Sequence, residues 1–253
     1  MNRNFLSPVP AIALGVLLIM YIVGVFGHII PIFYPLMLTL TPWILLSFAL
    51  VTIAAVMFSP RRSSIEKIRI SIWLAVTWAA TFGLEVLGVK TGLVFGAYSY
   101  GATLGPQLFE VPVIIGLNWS IIVFGIAETL RMKRFSLLAA LIGVPVGAVL
   151  FDIALEPVAM SVLDYWTWTG GPVPLQNYIA WALISFTFAV LYFWMLPIPL
   201  PDRDFSKPEP DNSGKRPALQ MLYYRSDKYF PGLYVFIQFL FIFALNRLLP
   251  YIG

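Results

Sequence analysis

Three carboxylic acids stand where the surrounding sequence is apolar: Glu85, Asp152 and Glu156. An ionisable group inside such a stretch is costly, and by default it marks function. Asp152 and Glu156 are four residues apart, so on a helix they share one face. Two carboxylates on one apolar face repel, and one of the pair is expected to keep its proton at neutral pH. A protonated carboxyl beside an ionised one is the arrangement that general acid–base chemistry uses. Pro157 restricts the residue before it, so the helix is expected to end at Glu156.

Other polar and aromatic groups belong with these acids. Thr77, Thr81 and Glu85 recur at four-residue spacing and predict a stripe facing the protein interior. Asn118 sits beside Trp119, and Asn177 precedes Trp181 by one helical turn. Two glycine- and aromatic-rich runs follow the acidic stretches. One carries Tyr98 and Tyr100, the other Trp166 and Trp168. The chain has no cysteine and a single histidine, His28, which excludes disulfides, thiolate metal sites, cysteine nucleophiles and a His-rich metal centre. No metal and no cofactor are expected.

The elements that position these residues follow from composition. Hydrophobic residues make up 60% of the chain and charged residues 11%, against about 25% charged in a soluble domain. Mean hydropathy is +0.86. So much apolar surface excludes a soluble globule and a disordered chain alike. Seven stretches reach the roughly 20 apolar residues that a spanning helix needs: Pro10 to Ile30, Pro42 to Phe58, Ile68 to Leu87, Pro112 to Leu130, Phe135 to Glu156, Asn177 to Leu196, and Tyr229 to Leu249. The expected fold is an all-α, polytopic seven-helix bundle in one integral membrane domain, residues 1–253. The first span reads as a retained helix, because no basic segment with a small-residue cleavage site accompanies it. Residues 197–228, rich in Pro, Asp, Lys and Ser, read as a cytoplasmic linker between spans six and seven.

Basic residues set the orientation. With seven spans, 14 of the 16 Lys and Arg fall on one side, leaving Lys90 and Arg247 opposite. The N-terminus is therefore expected in the cytoplasm, in the cytoplasmic membrane of the cell. Topology accounts for the net charge of +4, and no nucleic-acid partner is needed. Glu85 lies 16 residues beyond Arg69 and Asp152 lies 18 beyond Arg134, about 24 and 27 Å along a helix. Both acids are thus expected in the outer part of the membrane, at similar depth, on different helices.

Plainer readings exist for several of these residues. Tyr98, Tyr100, Trp166 and Trp168 could form an interfacial belt. Glu156 could be an interfacial carboxylate, and Glu85 an acceptor for the threonine stripe. His28 reads as interfacial, and Glu128, one turn before Arg131, as half of an ion pair. Seven spans also suggest a retinal protein, but the last span has no lysine for a Schiff base. The Asp-x-x-x-Glu pair alone is too few acids for a metal–diphosphate prenyltransferase.

The run Glu85-Val-Leu-Gly-Val-Lys-Thr-Gly-Leu-Val-Phe-Gly-Ala-Tyr-Ser-Tyr-Gly, continuing to Asn118-Trp119, resembles the membrane carotenoid-biosynthesis proteins that act as carotenoid 1,2-hydratases, a group that includes the bisanhydrobacterioruberin hydratases. Asp152-Ile-Ala-Leu-Glu-Pro-Val-Ala, Tyr165-Trp-Thr-Trp, and Val173-Pro-Leu-Gln-Asn-Tyr with Trp181 form a second matching block. The two blocks cover about a third of the chain. The resemblance implies addition of water across the terminal C1–C2 double bond of a ψ-end group, on lycopene, a γ-carotene type or a C50 precursor. The implied partners are a carotenoid within the bilayer, water, and other membrane enzymes of the same pathway. Protonation of C2 would give a tertiary cation at C1, which suits Asp152 as proton donor and Glu85 or Glu156 as the base that activates water. Asn118 and Asn177 would position that water. Thr81, Tyr98, Tyr100, Trp119, Trp166, Trp168 and Trp181 would complete the pocket.

Two other activities remain open at this stage. A membrane lycopene cyclase would use the same protonation and quench the cation with an internal double bond. A proton-coupled transporter would use the acids as a relay, although the cytoplasmic halves of the spans offer it few polar groups. A non-catalytic carotenoid-binding subunit would have no use for three buried acids.

Overall fold

The computed structural model describes residues 9–59, 61–199 and 218–248. Among them are seven helices long and apolar enough to cross a membrane: α1 (Val9–Ile29), α2 (Tyr34–Met57), α3 (Ser64–Thr91), α4 (Ile114–Met132), α5 (Leu137–Ser161), α6 (Leu175–Met195) and α7 (Ala218–Leu248). Two short antiparallel ribbons join them. One pairs β1 (Tyr98–Tyr100) with β4 (Trp166–Trp168), the other pairs β2 (Gln107–Leu108) with β3 (Val111–Pro112). The protein is an all-α polytopic membrane protein. Its outward faces carry Ile12, Ile19, Phe26, Leu138, Leu150 and Leu183, all exposed. Such a surface is stable against lipid and not against water.

α4 is the central helix. It is the most deeply buried of the seven. α3, α5 and α7 pack around it, with α6 against α5 and α1 against α7. Local sequence sets several ends. Ser63 and Glu66 form a reciprocal capping box at the start of α3, and Gly92 closes it in the left-handed conformation (φ 68°). The Ser136 hydroxyl accepts from the Ala139 amide at the start of α5. The Trp73 indole donates to the Phe188 carbonyl at 3.0 Å, tying α3 to α6. Asn246 donates to the Ala154 carbonyl at 2.6 Å, tying α7 to α5.

The structure departs from the sequence expectation at several points. α5 does not end at Glu156. It continues through Pro157 to Ser161, because Val158 and Ala159 are fully buried and the Val162 and Leu163 amides both donate to the Val158 carbonyl. That tertiary packing outweighs the roughly 3 kcal/mol cost of an internal proline. α2 starts at Tyr34 rather than Pro42, with Pro35 in its tolerant first turn and the Tyr34 hydroxyl anchored on the Val162 carbonyl at 2.7 Å. α7 starts at Ala218, so the end of the stretch read as linker is helical. Residues 200–217 of that stretch lie outside the described residues, as do Arg3, Arg203, Lys207, Lys215, Arg216 and Leu249. Finally, the two aromatic runs meet in the β1–β4 ribbon.

Candidate active site

The acids converge where α3 ends, α4 begins, α5 ends and α6 begins. A cavity of about 30 Å³ lies there, lined by Glu85 of α3, Trp119 of α4, Asp152 and Glu156 of α5, Asn177 and Trp181 of α6, and the inner face of the ribbon. That is room for one or two water molecules. Glu85, Asp152 and Glu156 are all buried.

The ribbon makes the site. Alternate residues of a strand face the same way, and the register sets Tyr98 opposite Trp168 and Tyr100 opposite Trp166. All four rings therefore point inward as one aromatic wall. The close crossing depends on Gly101, whose amide donates to the Tyr165 carbonyl at 2.8 Å. A Cβ at Gly101 would stand 2.3 Å from the Asp164 carbonyl oxygen.

Each carboxyl meets neutral donors. Glu85 Oε2 accepts from the hydroxyls of Tyr98 and Tyr100, the latter at 2.7 Å, and Oε1 accepts from the Trp119 indole at 2.9 Å. Burial and the neighbouring Glu85 push both phenols above their usual range, so they remain donors. Glu156 Oε2 accepts from the indoles of Trp166 and Trp168, each at 3.0 Å. Asn177 Nδ2 joins the pair on α5, donating to Asp152 Oδ2 at 2.6 Å and to Glu156 Oε1 at 3.2 Å. Asp152 Oδ1 is buried without a hydrogen-bond partner. The carboxyls thus differ in one respect: each glutamate is held through both oxygens, and the aspartate has one oxygen free. Among the described residues no cluster suited to a metal ion occurs.

The comparisons with known proteins bear on this arrangement. Residues 41–209 match the family described as carotenoid biosynthesis protein. The chain belongs to the carotenoid biosynthesis protein family. The matched stretch holds all three acids and every side chain that lines the acid cavity. Over 124 residues this family member is also 32% identical to the bisanhydrobacterioruberin hydratase of Haloarcula japonica, an alignment covering 45% of the chain and 41% of that relative. The chain thus aligns with less than half of that protein's length. No solved structure matches it.

Of the residues singled out from sequence, Glu85, Asp152, Glu156, Tyr98, Tyr100, Trp119, Trp166, Trp168, Asn177 and Trp181 line the cavity of this family member. Two do not. The Thr81 hydroxyl is spent on the carbonyls of Thr77 and Trp78 in its own helix, with a long contact to Gly116. It faces the interior as the stripe predicted, but one turn too deep to reach the acids. Asn118 opens on an adjoining inner chamber, which shares Ile115, Trp119, Trp166 and Trp181 with the acid cavity. That chamber also meets Tyr21 of α1 and Gln238 of α7. Neither drew notice in the sequence, and nothing in their spacing marks them. Phe95 and Ile115 were missed as cavity walls. The first sits inside the aromatic run that carries the family resemblance, so the signal was there. Tyr98, Trp166 and Trp168 are buried inside the protein, and Tyr100 is partly buried. His28 lies elsewhere, its Nδ1 donating to the Gly24 carbonyl at 2.7 Å and its ring packed edge-on against Tyr34 and Phe241.

Proposed function

We propose that the protein hydrates the ψ-end group of a carotenoid, adding water across the terminal C1–C2 double bond. One observation carries the reading: three buried carboxyls surround a cavity the size of a water or two, and one carboxyl oxygen, Asp152 Oδ1, is uncommitted. The family and the hydratase named among its relatives support the same chemistry.

The free oxygen supports Asp152 as the proton donor. Its O–H protonates C2, the π electrons form the new C–H bond, and a tertiary cation develops at C1. The stacked indoles of Trp119 and Trp181 and the ribbon rings offer π faces to that cation, each worth about 0.5–2 kcal/mol. Glu85, pinned by three donors on both oxygens, is the fixed negative charge. Water attacks C1 and loses a proton to Glu156, one turn from Asp152. Return of that proton to Asp152 closes a cycle whose net change is one water added. The positioning residue is Asn177, which holds both members of the α5 pair in register. The relevant compartment is the cytoplasmic membrane, with the acid end facing outward as the basic residues require.

The test is pigment analysis in a bacterium that accumulates a ψ-ended carotene and expresses this chain. A more polar pigment, heavier by one water with its chromophore unchanged, is expected. A new pigment of unchanged mass would make the protein a cyclase, and no new pigment from lycopene, γ-carotene or a C50 precursor would end the hydratase reading.

A further inference from the structure

A third cavity lies on the flank of the bundle. It is an apolar groove of about 540 Å³, within the size range of small-molecule sites. Its walls are Trp43 and Leu46 of α2, Trp78 of α3 and Leu117 of α4, roofed by Leu104 and Pro106. Trp43 and Trp78 are 60% and 40% exposed, so the groove opens to the side, where lipid lies. Trp78 is 13 residues before the end of α3, about 20 Å along the helix. The groove therefore reaches hydrocarbon depth.

Three cavities share walls in series. Leu104 lines both the flank groove and the inner chamber. The inner chamber in turn shares Ile115, Trp119, Trp166 and Trp181 with the acid cavity. Leu104 is almost completely buried, so its side chain is the partition between lipid-facing groove and interior. Its position is set by the next residue. Gly105 has φ 82°, and a Cβ there would stand 2.8 Å from the Pro42 Cβ, so the loop rests directly on α2.

We propose that this groove is the lateral access route and the seat of the substrate's extended isoprenoid chain, with Leu104 as the partition the reacting end group passes. The proposal rests on the hydratase reading for the identity of the reaction, but not for the binding of the polyene. A lipid acyl chain fits the groove by polarity alone. Continuity with the acids favours a rod with a reactive end, since only such a ligand uses the connection.

Two experiments decide it. In the carotene-producing host, Leu104→Trp should lower hydrated product about a hundredfold, the scale of losing a productive alignment. Leu183→Trp, on the lipid-facing side of α6, should leave it unchanged, with both variants accumulating to wild-type level. Active wild type with an equally active Leu104→Trp would overturn the route while leaving the hydratase reading intact. The second readout needs no turnover. A benzophenone amino acid in place of Trp43, illuminated in carotene-containing membranes, should attach pigment to the chain, and the same group in place of Leu183 should not. Attachment of lipid alone at position 43, or equal pigment at both positions, would overturn the proposal even if the protein proves to be a cyclase.

Discussion

The two ends of the bundle treat a buried carboxylate in opposite ways. At the basic end, Glu128 of α4 meets cations. Arg62 Nη2 lies 2.6 Å from its Oε1 and Arg131 Nη1 3.3 Å from its Oε2, and the Tyr192 hydroxyl donates to it as well. Arg131 reaches on to Glu66 at 2.6 Å and to the Pro197 carbonyl at 3.2 Å. Arg69 donates to the Met195 carbonyl at 2.9 Å. The result is a clamp that fastens the end of α6 to α3 and α4. At the opposite end, Glu85, Asp152 and Glu156 meet only indoles, phenols and an amide. A carboxylate between guanidinium groups is locked as half of an ion pair. A carboxyl among neutral donors and other carboxyls has no such counter-charge beside it, which leaves it available for proton transfer. Burial is common to both ends, so the charge of the partners is what separates a structural acid from a candidate catalytic one.

Substitutions can break this contrast, beginning with the largest effect. Asp152→Asn keeps the shape and the Asn177 contact but removes the transferable proton. Hydration in the carotene-producing host should fall about 10²–10⁴-fold, with the unfolding temperature in detergent essentially unchanged. Wild-type turnover in this variant would show that the free oxygen of Asp152 is not the donor. Glu128→Gln should do the reverse. It leaves Arg62 and Arg131 without their shared counter-charge at a largely buried position, at a cost of about 3–5 kcal/mol. Thermal unfolding should report that loss, while product per folded molecule stays the same.

Smaller changes sharpen the comparison. Tyr98→Phe takes one of three donors from Glu85. Stability should drop by about 1–3 kcal/mol, and turnover should slow without vanishing, because Tyr100 and Trp119 still hold the carboxyl. An inactive but fully stable Tyr98→Phe would instead give that phenol a direct part in the chemistry. Thr81→Val should cost least, about 1 kcal/mol or less, with no change in product, since its hydroxyl serves backbone carbonyls alone. A Thr81→Val variant that loses activity would return the threonine stripe to the site.

Much of the site was legible because its signals are local. An acid in an apolar span, a four-residue spacing and an aromatic run each stand out within a short window of sequence. The alternation Tyr98-Ser99-Tyr100 and Trp166-Thr167-Trp168 also carried a strand period, but neither run has a partner within its own window. Their pairing depends on α3 and α5 both packing around α4, which brings the runs that follow them together. Glu128 read as an ion pair with Arg131 from i, i+3 spacing, whereas Arg62 joined it from the turn before α3 and Tyr192 from α6. Thr81 shows the limit of spacing as evidence: sharing a face with Glu85 does not mean sharing a depth.

The sequence by itself determined the class of molecule, the seven spans, the sidedness of charge and the identity of the acids. Those follow from hydropathy and periodicity, which each segment expresses alone. Only the tertiary structure decided where α5 stops, which donors each carboxyl meets, and that Asp152 keeps one oxygen free. These depend on which helices pack together. A helix end or a hydrogen bond is settled by the burial and partners that packing supplies.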